Sequence, residues 1–379
     1  MRSIPFNVPF LTGSENKYIH EVFVQNEFAG NGPFTKKVQN KLEEYLSAQK
    51  VLLTHSCTAA LELAAILAGF GPGDEVLMPS FTFVTSASAI LRTGADVVFC
   101  EINPETMLLD LEDVRQKITS KTRGIVAVDY AGHSMDYDQI DALCKKYNLT
   151  CIEDAAQGLG SSWCKKALGT HTRFGAISFH QTKNIHSGLG GCLIINNTED
   201  VEKAEILWER GTDRSAFFKG LVDKYSWQEV GSSFYPSELQ AAFLYAQLER
   251  LEENLTQRRE LWDLYEMLLA PLEAKGHFRL LRPSKKCKHN AHMMAVLFPT
   301  PEEANNARKV LNKNGVQAVI HYVPLHASPM GKRLGYSPSD LPKTLTNAAS
   351  LIRLPLHLSM NEKDINYIFS ILNLHVLHK

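Results

Sequence analysis

Nowhere in this 379-residue chain do two cysteines stand at C-x-x-C spacing, and its seven cysteines are odd in number and scattered. That pattern argues against a zinc ribbon or a disulfide framework and fits reduced thiols in a cytoplasmic protein. Long apolar runs are missing too: none approaches the ~18–20 residues needed to span a bilayer. The start, "MRSIPFNVPFLTGSENKY", has two prolines and an early Glu but no apolar h-region, so no signal peptide is expected. Nor does charge of one sign prevail. Forty Lys and Arg against forty-one Asp and Glu leave a net −1. The chain therefore has no global field to draw nucleic acid or an anionic membrane, and any polyanion must be held by a local pocket. Internal repeats, low-complexity stretches, a Walker loop and a G-x-G-x-x-G fingerprint are likewise absent.

What is present is ordinary globular composition, 44% hydrophobic and 21% charged, at a length that accommodates two or more domains. "FTKKVQNKLEEYLSA" reads as an amphipathic helix with Val38, Leu42, Tyr45 and Leu46 on one face. From residue 50 strand-like and helix-like segments alternate: "KVLLT", "HSCTAALELAAILAGFG", "DEVLMP", "FVTSASAILRTG", "ADVVFCEI", "TRGIVAVDYAG", "MDYDQIDALCKKYN" and "LTCIEDAA". This alternation predicts an α/β fold with a mostly parallel sheet covered on both faces. "GAISFH" and "GCLIINN" follow with only a glycine-rich connection between them. From about residue 236 helical periodicity runs for more than thirty residues, as one long helix or two. The reading is a large domain over 1–245, then a connector helix and a smaller α+β domain over 246–379.

Three stretches carry candidate chemistry. "THSCTAALELAA" opens a helix after a strand with Ser56, Cys57 and Thr58 at its start, where free N–H groups and the helix dipole suit an anion. Plain N-capping by Ser56 or Thr58 explains it equally well. "LTCIEDAAQGLGS" sets Glu153 and Asp154 at the carboxyl end of an apolar strand, where open α/β sheets bind ligands. A carboxylate there can pair with a protonated ring nitrogen, or simply cap the next helix. "SFHQTKNIHSGLGG" places Lys183 on a short loop after Ser178 and His180 and before a run of glycines. Alone it reads as a solvated lysine; as a nucleophile it needs a lowered pKa. Taken together, a phosphate cradle, an acid for a ring nitrogen and a lysine for a Schiff base are the parts that pyridoxal 5'-phosphate (PLP) requires. "PSFTFV" adds Phe81 or Phe83, of which one can lie on the ring and either can be core.

With these residues in view, the chain resembles, nearly end to end, the DegT/DnrJ/EryC1/StrS family of sugar-nucleotide aminotransferases. The motifs are "SCTAALELA", "GPGDEVLMPSFTFVTSASAI", "VAVDYAG", "IEDAAQGLGS", "FGAISFHQTKN" and "HYVPLH". The resemblance implies a type I, aspartate-aminotransferase-like PLP fold with a seven-stranded sheet. Lys183 would hold the cofactor and move the proton, Asp154 would pair with the ring nitrogen, and Gln157 would bond the ring's 3′-oxygen. Cys57, Thr58 and Ser178 would hold the phosphate, and Phe83 would stack on the ring. His180 and Tyr322 lie in motifs near the substrate, while His321 and His326 fit a structural role as well.

Within the family a nearer resemblance, carried by "VLLTHSCTAALE", "SFHQTKN", "GTDRSAFFKGLVDKYSWQEVGSS" and "HNAHMM", implies one reaction. L-glutamate would give its nitrogen to dTDP-4-dehydro-6-deoxy-D-glucose, yielding dTDP-4-amino-4,6-dideoxy-D-galactose and 2-oxoglutarate. The competing products are the 4-amino-glucose epimer or another nucleotide-linked amino sugar. Two further rivals are the family's sugar 3-dehydratases, in which a histidine replaces the lysine and against which Lys183 argues, and a non-catalytic binder of cofactor or nucleotide sugar. Relatives also imply a homodimer with shared sites and a product destined for cell-envelope glycan. Two positions depart from the family pattern. Leu189 stands where relatives carry a Glu, and Gly231–Tyr235 replaces G-x-N-x-R, leaving Ser233 as the donor to the partner's phosphate and Tyr235 in place of Arg.

Overall fold

A computed structural model describes residues 3–377. Its central sheet has seven strands: β1 (Lys50–Thr54), β2 (Glu75–Pro79), β3 (Asp96–Cys100), β4 (Thr122–Val128), β5 (Thr150–Asp154), β6 (Phe174–Ser178) and β7 (Gly191–Ile195). They lie in the order β1-β7-β6-β5-β4-β2-β3. Strands β2 to β6 pair in parallel, joined by crossovers, and only β7 runs against its neighbours β6 and β1. The connection between β6 and β7 carries no helix to cover the sheet, unlike the connections from β1 through β5. Its ends are tied together by backbone hydrogen bonds from Phe179 N–H to the Gly190 carbonyl and from Gln181 N–H to the Gly188 carbonyl, which return the chain antiparallel.

The strands read as apolar runs because both faces of the sheet are buried. Successive side chains alternate between the two faces. Ile125 and Ala127 therefore join the core that holds Val38 and Leu42 of the helix Pro33–Leu46 and Leu244 of the helix Glu238–Glu249. Val126 and Val128 face the opposite core, with Leu63 of the helix Cys57–Leu67 and Trp208.

The long helical stretch is two helices, Glu238–Glu249 and Leu251–Ala274, broken at Arg250. The second carries Trp262, Tyr265 and Leu269 into a third core. That core is built on a three-stranded antiparallel sheet of β8 (Arg279–Leu280), β9 (Met294–Leu297) and β10 (Leu351–Leu354), in that order. The helices Pro301–Lys313 and Glu362–Leu377 close it. Ile4 belongs to the same core, its N–H donating to the Gly315 carbonyl at 2.8 Å, so the amino-terminal segment packs with the carboxy-terminal third. Among the described residues no helix is long and apolar enough to cross a membrane.

Candidate active site

The carboxyl ends of β1, β4, β5 and β6 point into one cavity of about 380 Å³, within the range of small-molecule sites. Its wall includes Cys57, Thr58, Phe83, Asp154, Gln157, Ser178, His180 and Lys183, with Tyr322 from the carboxy-terminal part. Residues far apart in the chain thus converge where a parallel sheet places its ligands.

Lys183 sits on the loop joining β6 to β7. That loop is pinned by Phe179 N–H to the Gly190 carbonyl at 2.9 Å, Gln181 N–H to Gly188 at 2.8 Å, and Ser187 N–H back to Phe179 at 2.9 Å. The next residue, Asn184, is buried and donates to the Asn290 carbonyl at 2.9 Å, which fixes the loop against the carboxy-terminal part. Burial holds the Lys183 amine down at about 8, against the pull of Cys57 and Asp154 and with help from the Arg353 guanidinium. Roughly a tenth of this amine is neutral, hence nucleophilic, at pH 7, against well under a thousandth for an ordinary lysine.

Glu153 and Asp154 separate by strand alternation. Glu153 turns away and accepts from the Gly169 and His171 N–H groups. Asp154 faces the cavity, where Ser86 Oγ donates to its Oδ2 at 2.6 Å and Ala156 N–H to its Oδ1 at 3.2 Å. Burial lifts its carboxyl above the usual range, opposed by Ser86, Ala156 and Lys183. A cationic group seated against Asp154 would restore its ionised form. Gln157 accepts from Ala131 N–H at 2.7 Å and donates through Nε2 to the Tyr322 hydroxyl at 3.2 Å, so its amide orientation is set.

At the opposite end, Ser56 caps the helix Cys57–Leu67 by accepting from Ala59 N–H at 3.1 Å. The first-turn N–H groups of Cys57 and Thr58 have no intrahelical acceptor. Gly191 permits this arrangement, since a Cβ there would lie 2.4 Å from the Cys57 nitrogen. Burial, with Asp154 next in weight, pushes the Cys57 thiol well up, so it remains a neutral donor beside an anion. Ser178 Oγ is buried at the end of β6 and accepts from His180 N–H at 3.3 Å. A helix start with neutral donors, a buried acid and a deprotonatable lysine match the phosphate, ring nitrogen and aldehyde of PLP, and the donor set fits that group.

The two phenylalanines divide as well. Phe83 is 52% exposed and lines the cavity, whereas Phe81 is 1% exposed and packs edge-on against Tyr130. His180 lines the cavity with Nδ1 3.0 Å from Thr182 Oγ1. His321 also lines it, but buried His326 lies elsewhere, its Nδ1 2.6 Å from Ser80 Oγ. Ser233 lies outside the cavity on the exposed surface. Tyr235 is buried against Trp208, under the Arg210 guanidinium. Leu189 is an exposed rim residue whose carbonyl accepts from Gln240 Nε2 at 2.8 Å.

Sequence reasoning missed Phe6, Ser86, Asp129, His292 and Arg353. Ser86 touches Asp154 directly, and the other four line the cavity. Asp129, at the end of β4, accepts from the Tyr137 hydroxyl at 2.8 Å, and burial beside Glu153 holds its carboxyl well above the usual range. A lone Arg in the apolar strand "LIRLPLH" was the one local signal for Arg353.

The sequence profile of the DegT/DnrJ/EryC1/StrS aminotransferase family matches residues 10–373, and the chain belongs to that family. GDP-perosamine synthase of Escherichia coli O157:H7 is 32% identical over 334 residues, covering 87% of each chain. The dTDP-4-dehydro-2,3,6-trideoxy-D-glucose 4-aminotransferase of Saccharopolyspora spinosa is 28% identical over 96% of this chain and 94% of its own. The PMP form of a putative sugar aminotransferase, Spr1654 from Streptococcus pneumoniae, superposes with a TM-score of 0.89 at 26% identity, covering 99% of both chains. The protein is accordingly a PLP-dependent sugar aminotransferase with the type I PLP fold.

Proposed function

We propose that the protein works in the cytoplasm and moves the amino group of L-glutamate to C4 of dTDP-4-dehydro-6-deoxy-D-glucose. The products are dTDP-4-amino-4,6-dideoxy-D-galactose and 2-oxoglutarate. The observation that carries the reading is the presence of Asp154 and Lys183 in the wall of one cavity whose far end is a helix start lined by Cys57 and Thr58. The choice of sugar is supported by the motifs quoted above, "GTDRSAFFKGLVDKYSWQEVGSS" foremost.

Bound in this cavity, PLP supplies an electron sink and carries nitrogen between the two substrates. Lys183 Nζ removes the proton from the donor's Cα and, in the second half of the cycle, delivers one to C4 of the sugar. Its lowered pKa leaves it able to do both. Asp154 keeps the ring nitrogen protonated. Gln157, oriented by Ala131, donates to the ring's 3′-oxygen. Cys57, Thr58 and Ser178 hold the phosphate, Phe83 covers one face of the ring, and His180 and Tyr322 meet the substrate.

The active assembly in this reading is a homodimer, with Ser233 reaching the partner's phosphate. Supporting it, the segment before Ser233 exposes Leu221, Tyr225, Trp227 and Val230, an apolar surface suited to burial against a second copy.

A coupled assay with dTDP-4-dehydro-6-deoxy-D-glucose and L-glutamate, followed by NMR of the product, tests the reading. An axial C4 amine is expected. An equatorial amine overturns the galacto assignment, and product formed only from a GDP-linked keto sugar, as the name of the E. coli relative suggests, overturns the choice of nucleotide. Failure with every nucleotide-linked keto sugar overturns the reaction itself.

A further inference from the structure

Four buried polar residues, Asn184, Asn254, Asn290 and His292, join the Lys183 loop to the carboxy-terminal part. Asn184, the residue after the lysine, donates through Nδ2 to the Asn290 carbonyl at 2.9 Å, and its Oδ1 lies 3.0 Å from His292 Nδ1. Asn290 donates through Nδ2 to the carbonyls of Gln157 and Leu159 at 2.7 and 2.8 Å, and its Oδ1 accepts from His292 N–H at 3.0 Å. Asn254 Nδ2 donates to the Asn184 carbonyl at 2.9 Å. An amide whose nitrogen is committed to a carbonyl offers its oxygen on the other side, so the proton of His292 sits on Nδ1. Its Nε2 makes no hydrogen bond among the described residues, and His292 is 6% exposed in the wall of the cavity that holds Lys183. Burial, then the facing Lys183, Arg353, Arg258 and His321, hold the imidazole well below its ordinary pKa. His292 is thus a neutral ring in one tautomer, one residue removed from the lysine.

We propose that His292 is a positioning residue for Lys183: its Nδ1–H holds Asn184 Oδ1 and so fixes the backbone from which the lysine reaches both reacting carbons. This rests on the role read for Lys183 above. The amine must move between the donor's Cα and C4 of the sugar, so only the origin of its flexible chain can be held still. Backbone bonds pin the arms of the loop to each other, and the Asn184 side chain fixes them against the carboxy-terminal part. Without the imidazole, Asn184 Oδ1 is left buried and short of a donor, a state relieved by turning the amide or admitting water. Either loosens the loop. Asn290 holds the Gln157 carbonyl on the same scaffold, so the lysine and the contact to the ring's 3′-oxygen keep a common register. A neutral ring serves better than a cation here, since it donates the same bond without adding charge beside Lys183 and two guanidinium groups.

Three variants of the full chain separate the two ring nitrogens. H292N keeps a donor near the place of Nδ1, H292Q keeps one near that of Nε2, and H292L keeps neither. Steady-state kinetics of the cofactor-loaded enzyme are read beside hydrogen exchange of the segment 179–190 and the pH dependence of reconstitution with PLP. H292L should lose about ten- to a hundredfold in kcat, the scale of misplacing a catalytic group, with the KM values little changed. Exchange in the loop should quicken. The groups facing the Lys183 amine are Cys57, Arg353 and Asp154, all kept in these variants, so the midpoint of reconstitution should climb from about 8 towards the ordinary 10.5 as water enters. H292N should restore rate, exchange and midpoint, and H292Q should not. H292L with the parental kcat and midpoint overturns the proposal whatever its melting temperature, because a role in stability alone moves neither. Rescue by H292Q and not by H292N overturns it too, since Nε2 would then be the working atom. If H292L does not fold, H292N against H292Q decides. A Lys183→Ala enzyme that keeps its absorbance band and its rate would overturn the role of Lys183 itself. With that role intact, the failures above fall on His292 alone.

Discussion

Ser86 Oγ donates to Asp154 Oδ2 at 2.6 Å, and Thr82 Oγ1 lies 2.8 Å from the same hydroxyl. All three groups are buried. The helix Val84–Leu91 thus delivers a hydroxyl to the acid at the end of β5. That bond favours the charged carboxylate against the burial that opposes it.

Removing it should weaken the hold of Asp154 on a ring proton. A hydrogen bond to a charged group contributes about 1.5–3 kcal/mol, so Ser86→Ala should lower kcat about ten- to a hundredfold. Ser86→Thr, which keeps the hydroxyl, should recover most of it. Steady-state kinetics of the two variants decide the point, and an Ala variant as fast as the parent would remove Ser86 from the site's machinery.

The lowered pKa of Lys183 sets a pH dependence. Its charged form is disfavoured by burial, so the neutral, nucleophilic fraction grows as pH rises through about 8 rather than through the ordinary 10.5. Reconstitution of the apoprotein with PLP should accelerate about tenfold from pH 7 to pH 9 and then level off. Stopped-flow absorbance measures it. A rate still climbing steeply above pH 10 would indicate an ordinary lysine. Lys183→Ala should show no lysine-dependent band at any pH.

The two phenylalanines should part company on truncation. Phe81→Ala opens a void among buried aromatics and should cost about 3–5 kcal/mol of stability. Phe83 is half exposed, so Phe83→Ala should leave the melting temperature of the apoprotein nearly unchanged while raising the Kd for cofactor. Thermal scans with fluorescence titration separate these effects, and a reversed pattern would refute the assignment of Phe83 to the ring.

Gly191→Ala probes the phosphate end. The added methyl meets the backbone of Cys57 and Ser56, which cannot yield as a flexible side chain would. Cofactor affinity should drop together with stability. Gly188→Ala serves as a control for the open side of the same loop, although its positive φ carries its own strain of roughly 1 kcal/mol. Equal cofactor affinity in the Gly191 variant would mean that the helix start does not hold the phosphate.

Much of this was legible along the chain because the informative signals are local. Apolar runs alternating with helical periods imply the parallel sheet, whereas the reversal of β7 after the Lys183 loop came only from the strand pairing. The acidic pair at residues 153 and 154 could not be divided by composition, since the strand's facing depends on its register in the sheet. The paired motif "FTF" by itself left Phe81 and Phe83 equivalent; only the family resemblance singled out Phe83, and the burial of Phe81 against Tyr130 supplies the physical reason. Arg353 and Phe6 reach the cavity from opposite ends of the chain, and nothing near either in sequence points to Lys183.

The sequence by itself determined the elements, their order and the residue types at the strand ends, because backbone propensity and hydrophobic period act over a few residues. Only the tertiary structure decided which polar groups are desolvated and which remain without a partner. Those properties depend on neighbours through space. Burial turns Lys183 from a surface charge into a nucleophile, the hydroxyl of Ser86 favours the ionised form of Asp154, and Arg353 stands buried in the cavity wall with no hydrogen-bond partner for its Nε.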